Sequence, residues 1–192
     1  MKFRFDNILE DWTVLYKTLS HDKAKDSKNK RFFRIKTIDT TNEFGRNSNT
    51  LQSPCMLYSV MVDAENDGRA KVVSYRYEIY FASRAISRGL AKNAKQNDEL
   101  GTDQQLAMDD MVQDLLAYLH EMKLTGACPI TKQMLDNVQL QGLKGLQLDK
   151  AEWASIPIKF GEWHIMGLSI EGIAPRLLCV NTELYNIDQG NS

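Results

Sequence analysis

Apolar and polar residues alternate with near regularity over Lys71–Ala85, KVVSYRYEIYFASRA. Val73, Tyr75, Tyr77, Ile79 and Phe81 fall on one side of an extended chain, and Ser74, Arg76, Glu78 and Tyr80 on the other, the period of two that a strand requires. Just upstream, CMLYSVMVD from Cys55 reads as a strand with both faces fairly apolar, and AENDGRA between the two carries an Asp67-Gly68 turn signal. Together they predict a long antiparallel hairpin.

A period of 3.6 governs two other stretches. In DNILEDWTVLYKTLS, Ile8, Leu9, Trp12, Leu15, Tyr16 and Leu19 form one face, Asp6 is placed as N-cap, and the helix is expected to end near Ser20. A second amphipathic helix is expected from Thr102, where Thr102-Asp103-Gln104-Gln105 fits a capping box. Met108, Met111, Val112, Leu115, Leu116, Leu119 and Met122 make its buried stripe, and Gly126 its stop.

The remaining elements are shorter. From Arg31 to about Asp39, Phe33 and Ile35 alternate with Arg34 and Lys36, predicting a strand. ITKQMLDN has the length of a helical turn, and VQLQGLKGLQLDKAEW reads as one strand or a pair broken at Gly142 and Gly145. SIPIKFGE contains Pro157 and is assigned to an edge or a loop. WHIMGLSIEGI sets Met166, Leu168 and Ile170 against Ile165, Ser169 and Glu171 and is a further strand. Residues 40–53 and 83–101 lack periodicity and are expected to be long exposed loops. The predicted fold class is α+β: an antiparallel β-sheet with a long hairpin, and N-terminal and central amphipathic helices packed on one face. Residues 1–175 form the domain, and 176–192 a C-terminal arm.

Charge changes the picture mainly by exclusion. The 192 residues sum to a net charge of −1, so the molecule as a whole has no field to draw it to nucleic acid. Binding there would need a local patch. The one on offer is Lys23–Lys36, where Lys28, Lys30 and Arg31 are candidate phosphate contacts and Phe32 and Phe33 candidate stacking groups. The competing expectation is that Phe33 belongs to the core and the lysines to a solvated connector. The alternating strand could also imitate an RNA-recognition sheet, but lacks that module's Lys/Arg-Gly-aromatic signature.

Cys55, Cys128 and Cys179 lie far apart with no CxxC, which predicts reduced thiols, Cys55 buried in its apolar run. His21, His120 and His164 have no second His or Cys at metal-ligand spacing, and His120-Glu121 lacks the second His of a zincin helix. Asp109, Asp110 and Asp114 lie on one helix, the last two at i, i+4. They are expected to be a solvated face, or an acidic surface that meets a neighbouring subunit. Neither GLKG nor NDG has the context of a phosphate loop. No cofactor, metal or catalytic group is therefore expected. MKFRFDN has no signal-peptide core and no apolar run approaches the roughly 20 residues that span a bilayer, so the expected setting is the cytoplasm, without a membrane.

In its order of elements the chain resembles the tail terminator, tail completion and neck-ring (head-to-tail connector) proteins of tailed bacteriophages. The resemblance runs over residues 5–173. It rests on the N-terminal amphipathic helix, the hairpin with SYRYEIYF, the helix QQLAMDDMVQDLLAYL and the strand EWHIMGLSIEGI. The two long polar loops and the arm after Pro175 depart from the compact members. The resemblance implies a non-enzymatic virion protein of the neck or tail, assembled in the host cytoplasm. It implies as partners copies of the chain itself in a six- or twelvefold ring, portal, neck or tail proteins, and genome DNA passing through the channel without sequence recognition. The candidate interface residues are then Arg76, Glu78 and Tyr80 on the outer face of the hairpin and Asp110 and Asp114 on the acidic helix.

Overall fold

The computed structural model describes residues 3–24, 28–35, 51–63, 72–84, 94–156 and 163–175. Within them the chain forms α1 (Phe5–Leu15), β1 (Phe32–Arg34), β2 (Cys55–Asp63), β3 (Val72–Arg84), α2 (Ala94–Thr125), α3 (Asn137–Lys144), a 3-10 turn at Leu148–Lys150, β4 (Glu152–Ile156) and β5 (Trp163–Pro175). The α+β class of the sequence reading is what the chain adopts.

The five strands make one sheet in the order β1-β2-β3-β5-β4. β3 is the spine. It pairs antiparallel with β2 from Cys55↔Ala82 to Asp63↔Ser74, and with β5 from Val72↔Pro175 to Arg84↔Trp163. The expected turn at Asp67-Gly68 lies outside the described residues. The sheet is mixed, which corrects the expectation of an antiparallel one: β1 runs parallel to β2, with Phe32 opposite Met56 and Arg34 opposite Tyr58. A parallel pair needs a crossover of roughly a dozen residues or more, and the stretch 35–54 has that length. Amphipathicity within a strand carries no sign of its direction.

One face of the sheet holds the main core. Met56 and Tyr58 of β2, Tyr77, Ile79 and Phe81 of β3 and Met166, Leu168 and Ile170 of β5 meet Ile8, Leu9 and Trp12 of α1 and the Met108–Met122 stripe of α2. The Phe5 ring packs edge-on to Tyr77 at 4.8 Å between centroids, and Trp12 edge-on to Phe81 at 6.0 Å, favourable aromatic geometries. The other face has a smaller apolar cluster at one end, made of Leu51, Cys55, Leu57, Tyr80, Ala82, Trp163 and Ile165. The apolarity of the first half of β2 follows from this: Met56 and Tyr58 feed the first cluster, Cys55 and Leu57 the second.

All three helices differ from the sequence reading. α1 is N-capped by Arg4 without a side-chain bond, and Asp6 stands in its first turn, where a carboxylate favours the helix dipole. The helix stops at Leu15 rather than near Ser20. His21 N–H donates to Thr13 O at 3.0 Å and folds the chain back, while Leu19 is still buried from the turn. α2 begins at Ala94, eight residues before its predicted cap, so 94–101 is helix and not loop. Ala94, Lys95, Gln96, Glu99 and Leu100 are good helix formers, and the Thr102–Gln105 pattern lies inside the helix. Gly126, with φ of +70°, ends it.

The third difference is α3, read from sequence as strands. Its true start is another capping box: Gln139 N–H donates to Asp136 Oδ1 at 2.7 Å, and Asp136 N–H to Gln139 Oε1 at 3.3 Å. The two glycines taken as strand breaks allow close approach instead. A Cβ on Gly142 would fall 2.1 Å from the Phe3 ring, and one on Gly145 2.3 Å from Ile173 O. Ile173 N–H in turn donates to Gly145 O at 2.9 Å, which pins the end of α3 to β5.

Candidate interaction surface

The outer face of β3 divides in the middle. Arg76 and Glu171 are cross-strand neighbours on β3 and β5, and their side chains approach to 3.7 Å while 43% and 53% exposed. A solvated pair of this kind adds little stability. Next along the strand, Ser169 Oγ donates to Glu78 Oε1 at 3.2 Å. Tyr80 is different. It is 4% exposed and belongs to the second apolar cluster; burial and the nearby Glu78 push its phenol up to about 12. Of the three residues placed on this face, Arg76 and Glu78 border solvent and Tyr80 is core.

α2 presents the acidic surface. Asp103, Asp110, Asp114 and Glu121 are exposed along it. Two of its carboxylates tie the helix to its surroundings. Tyr16 Oη donates to Asp114 at 2.9 Å, and Trp153 Nε1 of the edge strand β4 donates to Asp109 at 2.7 Å. Burial, then the bond to Asp114, lifts the Tyr16 phenol to about 12. Asp110 and Asp114 therefore share a surface with α1, on the side of the sheet opposite Arg76 and Glu78.

In the basic segment, the arginines are engaged within the fold. Arg31 Nη1 donates to the carbonyls of Ser53 and Pro54 at 2.6 and 2.9 Å, and its Nε to Asn29 Oδ1 at 2.8 Å. Arg34 donates to Asp6 and Glu10, each at 2.8 Å, and covers the Phe32 ring at 5.2 Å. Lys23 pairs with Asp11. Phe32 is in the main core and Phe33 packs on the second cluster, so neither ring is presented for a base to stack on. Lys28 is exposed and Lys30 half-buried. Residues 25–27 and 36 of this segment lie outside the described residues.

The sequence reading missed the network these arginines complete. Arg4 and Arg34 converge on Asp6, Arg34 continues to Glu10, and Glu10 Oε1 lies 3.6 Å from Nε2 of the buried His21. His21 Nδ1 accepts from Arg31 N–H at 3.0 Å. The Arg4 bond, against the cost of burial, and then Arg34 hold the Asp6 carboxyl at about 2. Burial holds the His21 imidazole below its usual 6.5, against the pull of Glu10. The available signal was Asp6 and Glu10 at i, i+4 on α1. Arg34, 28 residues from Asp6 and 24 from Glu10, carried none.

Among the described residues the two thiols belong to different clusters, Cys128 to the first and Cys55 to the second. Cys55 is fully buried and pushed up to about 12. Cys128 lies 3.3 Å from Tyr118 Oη and accepts from Thr131 N–H at 3.4 Å. Burial would raise this thiol, but the bonds from Thr131 and Tyr118 outweigh it and leave it below its usual value. Cys179 lies outside the described residues. Cys128 and Tyr118 line a cavity of about 400 Å³ between α1, the C-terminal half of α2 and the 128–139 segment, with Ile8, Val14, Leu15, Met122, Met134 and Leu135 among its walls and Asp11 and Lys23 beside it.

His120 is exposed on α2, and His164 stands on β5 beside Gly101. Among the described residues no three His, Cys, Asp or Glu side chains are grouped to hold a metal ion, and no helix is long and apolar enough to cross a membrane. No protein-family model matches the chain, and no curated protein matches it.

Proposed function

We propose that the protein is a non-enzymatic structural subunit of an oligomeric ring in the neck or tail of a tailed bacteriophage, joining head to tail around the DNA channel. The observation that carries this reading is the order and layering of elements: an amphipathic helix, the antiparallel β2–β3 pair read as the long hairpin, a long amphipathic helix and a closing antiparallel strand, with the helices on one side of the sheet. That is the layout on which the resemblance to tail terminator and neck proteins rests. The surface is compatible with two unlike contacts per subunit. The acidic outer side of α2 and the Arg76–Glu78 region lie on opposite sides of the body, as a head-to-tail contact that closes into a ring would use. The nucleic-acid alternative loses support because Arg31 and Arg34 are engaged within the fold.

The test is mass. Native mass spectrometry and electron microscopy of the purified protein, alone and with its head or tail neighbours, should give six- or twelvefold closed rings. A monomer that stays monomeric with every such neighbour would sink the reading.

A further inference from the structure

The cavity beside α1 is an open groove with a mostly apolar lining, in which Asp11, Lys23, Thr131, Gln133 and Gln139 also take part. Ile8, Tyr118 and Met122 contribute buried walls, while Val14, Leu15 and Met134 line it at 40%, 36% and 71% exposure. Large apolar side chains left in water around one concavity mark a place where something apolar docks. The chain itself has a fitting segment. Beyond Pro175 come RLLCVNTELYNIDQGNS, seventeen residues whose apolar members recur at Leu177, Val180, Leu184 and Ile187. These are the i, i+3, i+7, i+10 positions of one helical face, the pattern that inserts into grooves.

The end of β5 lies close by. Ile173 N–H is bonded to Gly145 O at the foot of α3, and Gln139, six residues up the same helix, lines the groove. At 1.5 Å per residue the separation is about 9 Å. Seventeen residues span up to roughly 56 Å when extended, enough to reach this groove on the same subunit or on an adjacent one. We propose that residues 176–192 dock as an apolar strap in the groove between α1 and the C-terminal half of α2. The docking goes beyond the ring reading and does not depend on it.

Native Cys179 lies within the strap and makes it testable in the full chain. Met134→Cys, on the exposed rim, should be joined to Cys179 by a short bis-maleimide, with the linked peptides identified by mass spectrometry. Arg76→Cys, paired with Glu171 near the end of β5 but on the far side of the sheet, is the control and should link at least fivefold less. Leu177→Asp with Leu184→Asp should abolish the 134–179 link and speed amide exchange across 118–139 in a chain carrying no added cysteine. A link within one chain places the strap on its own body, and a link between chains places it on a neighbour; both uphold the docking. Equal linking at 134 and 76, no link at 134, or a co-purified apolar compound in the groove in place of the link overturns it. Rings that assemble without the link would defeat the strap and leave the ring reading standing. A linked chain that never assembles would do the reverse.

Discussion

Asp6 shows how one residue changes meaning between sequence and structure. As an N-cap it would bond its own helix; as found, it accepts from Arg4 and Arg34 and joins α1 to β1. Asp6→Asn should cost about 1–3 kcal/mol, since a charged acceptor is lost while Arg34 stays in place, and urea denaturation will measure it. The pH dependence has a definite sign. The folded carboxyl sits at about 2 against an ordinary 3.8, so its contribution is complete above about pH 4 and is lost as pH falls toward 2. His21 acts in a higher window. Its folded value lies below 6.5, so the unfolded chain takes up the proton first and stability drops as pH falls below about 6.5. Melting temperatures from about pH 7 to pH 3 should decline in two stages, with the later one missing in Asp6→Asn. A single acid-induced step unchanged by the substitution would refute this account.

At the scale of elements, the two helix starts make opposite predictions. Thr102–Gln105 has the cap pattern but lies inside α2, and Asp136–Gln139 has it and uses it. Asp136→Ala should cost about 1 kcal/mol. Gly101→Ala should stabilise by about 0.5–1 kcal/mol, because the position is interior to a helix and a Cβ there meets His164 only at 3.7 Å. Were residue 101 in a loop before the cap, no such gain would follow, so the sign of this change discriminates. Gly145→Ala should be damaging, its Cβ falling 2.3 Å from a backbone oxygen of β5. Strand and helix faces were legible where apolar positions recur over many residues, as in Tyr75–Phe81 and Met108–Met122. α3 was not, because its eight residues bury Leu143 alone, too little apolar surface to display a period.

For the whole molecule, the outer side of α2 is the natural place to perturb assembly without perturbing the fold. Asp110→Lys lies on an exposed turn, so stability should move by no more than about 0.5 kcal/mol. If the acidic surface meets a neighbouring subunit, ring formation measured by native mass should weaken and its salt dependence change. A ring population equal to the parent's would remove this surface from the interface. Of the candidate site, Asp110, Asp114, Arg76 and Glu78 were legible as polar members of amphipathic elements. Tyr80 was not, since alternation puts it on the outer face and only the packing of Leu57, Trp163 and Ile165 around it makes that end of the face a core.

The sequence by itself determined the α+β class, the central strands, the helix around Met108–Met122 and the apolar faces these elements turn to the main core. Each depends on a period that a segment carries within itself, because burying one face is a local demand met by local spacing. The tertiary structure decided the parallel entry of β1, the early start of α2, the second cluster behind the sheet, and the joining of Arg31 and Arg34 to backbone and carboxylates far along the chain. Each of these is a choice among partners of equal local merit. It is settled by which groups the folded chain brings within hydrogen-bond or packing distance.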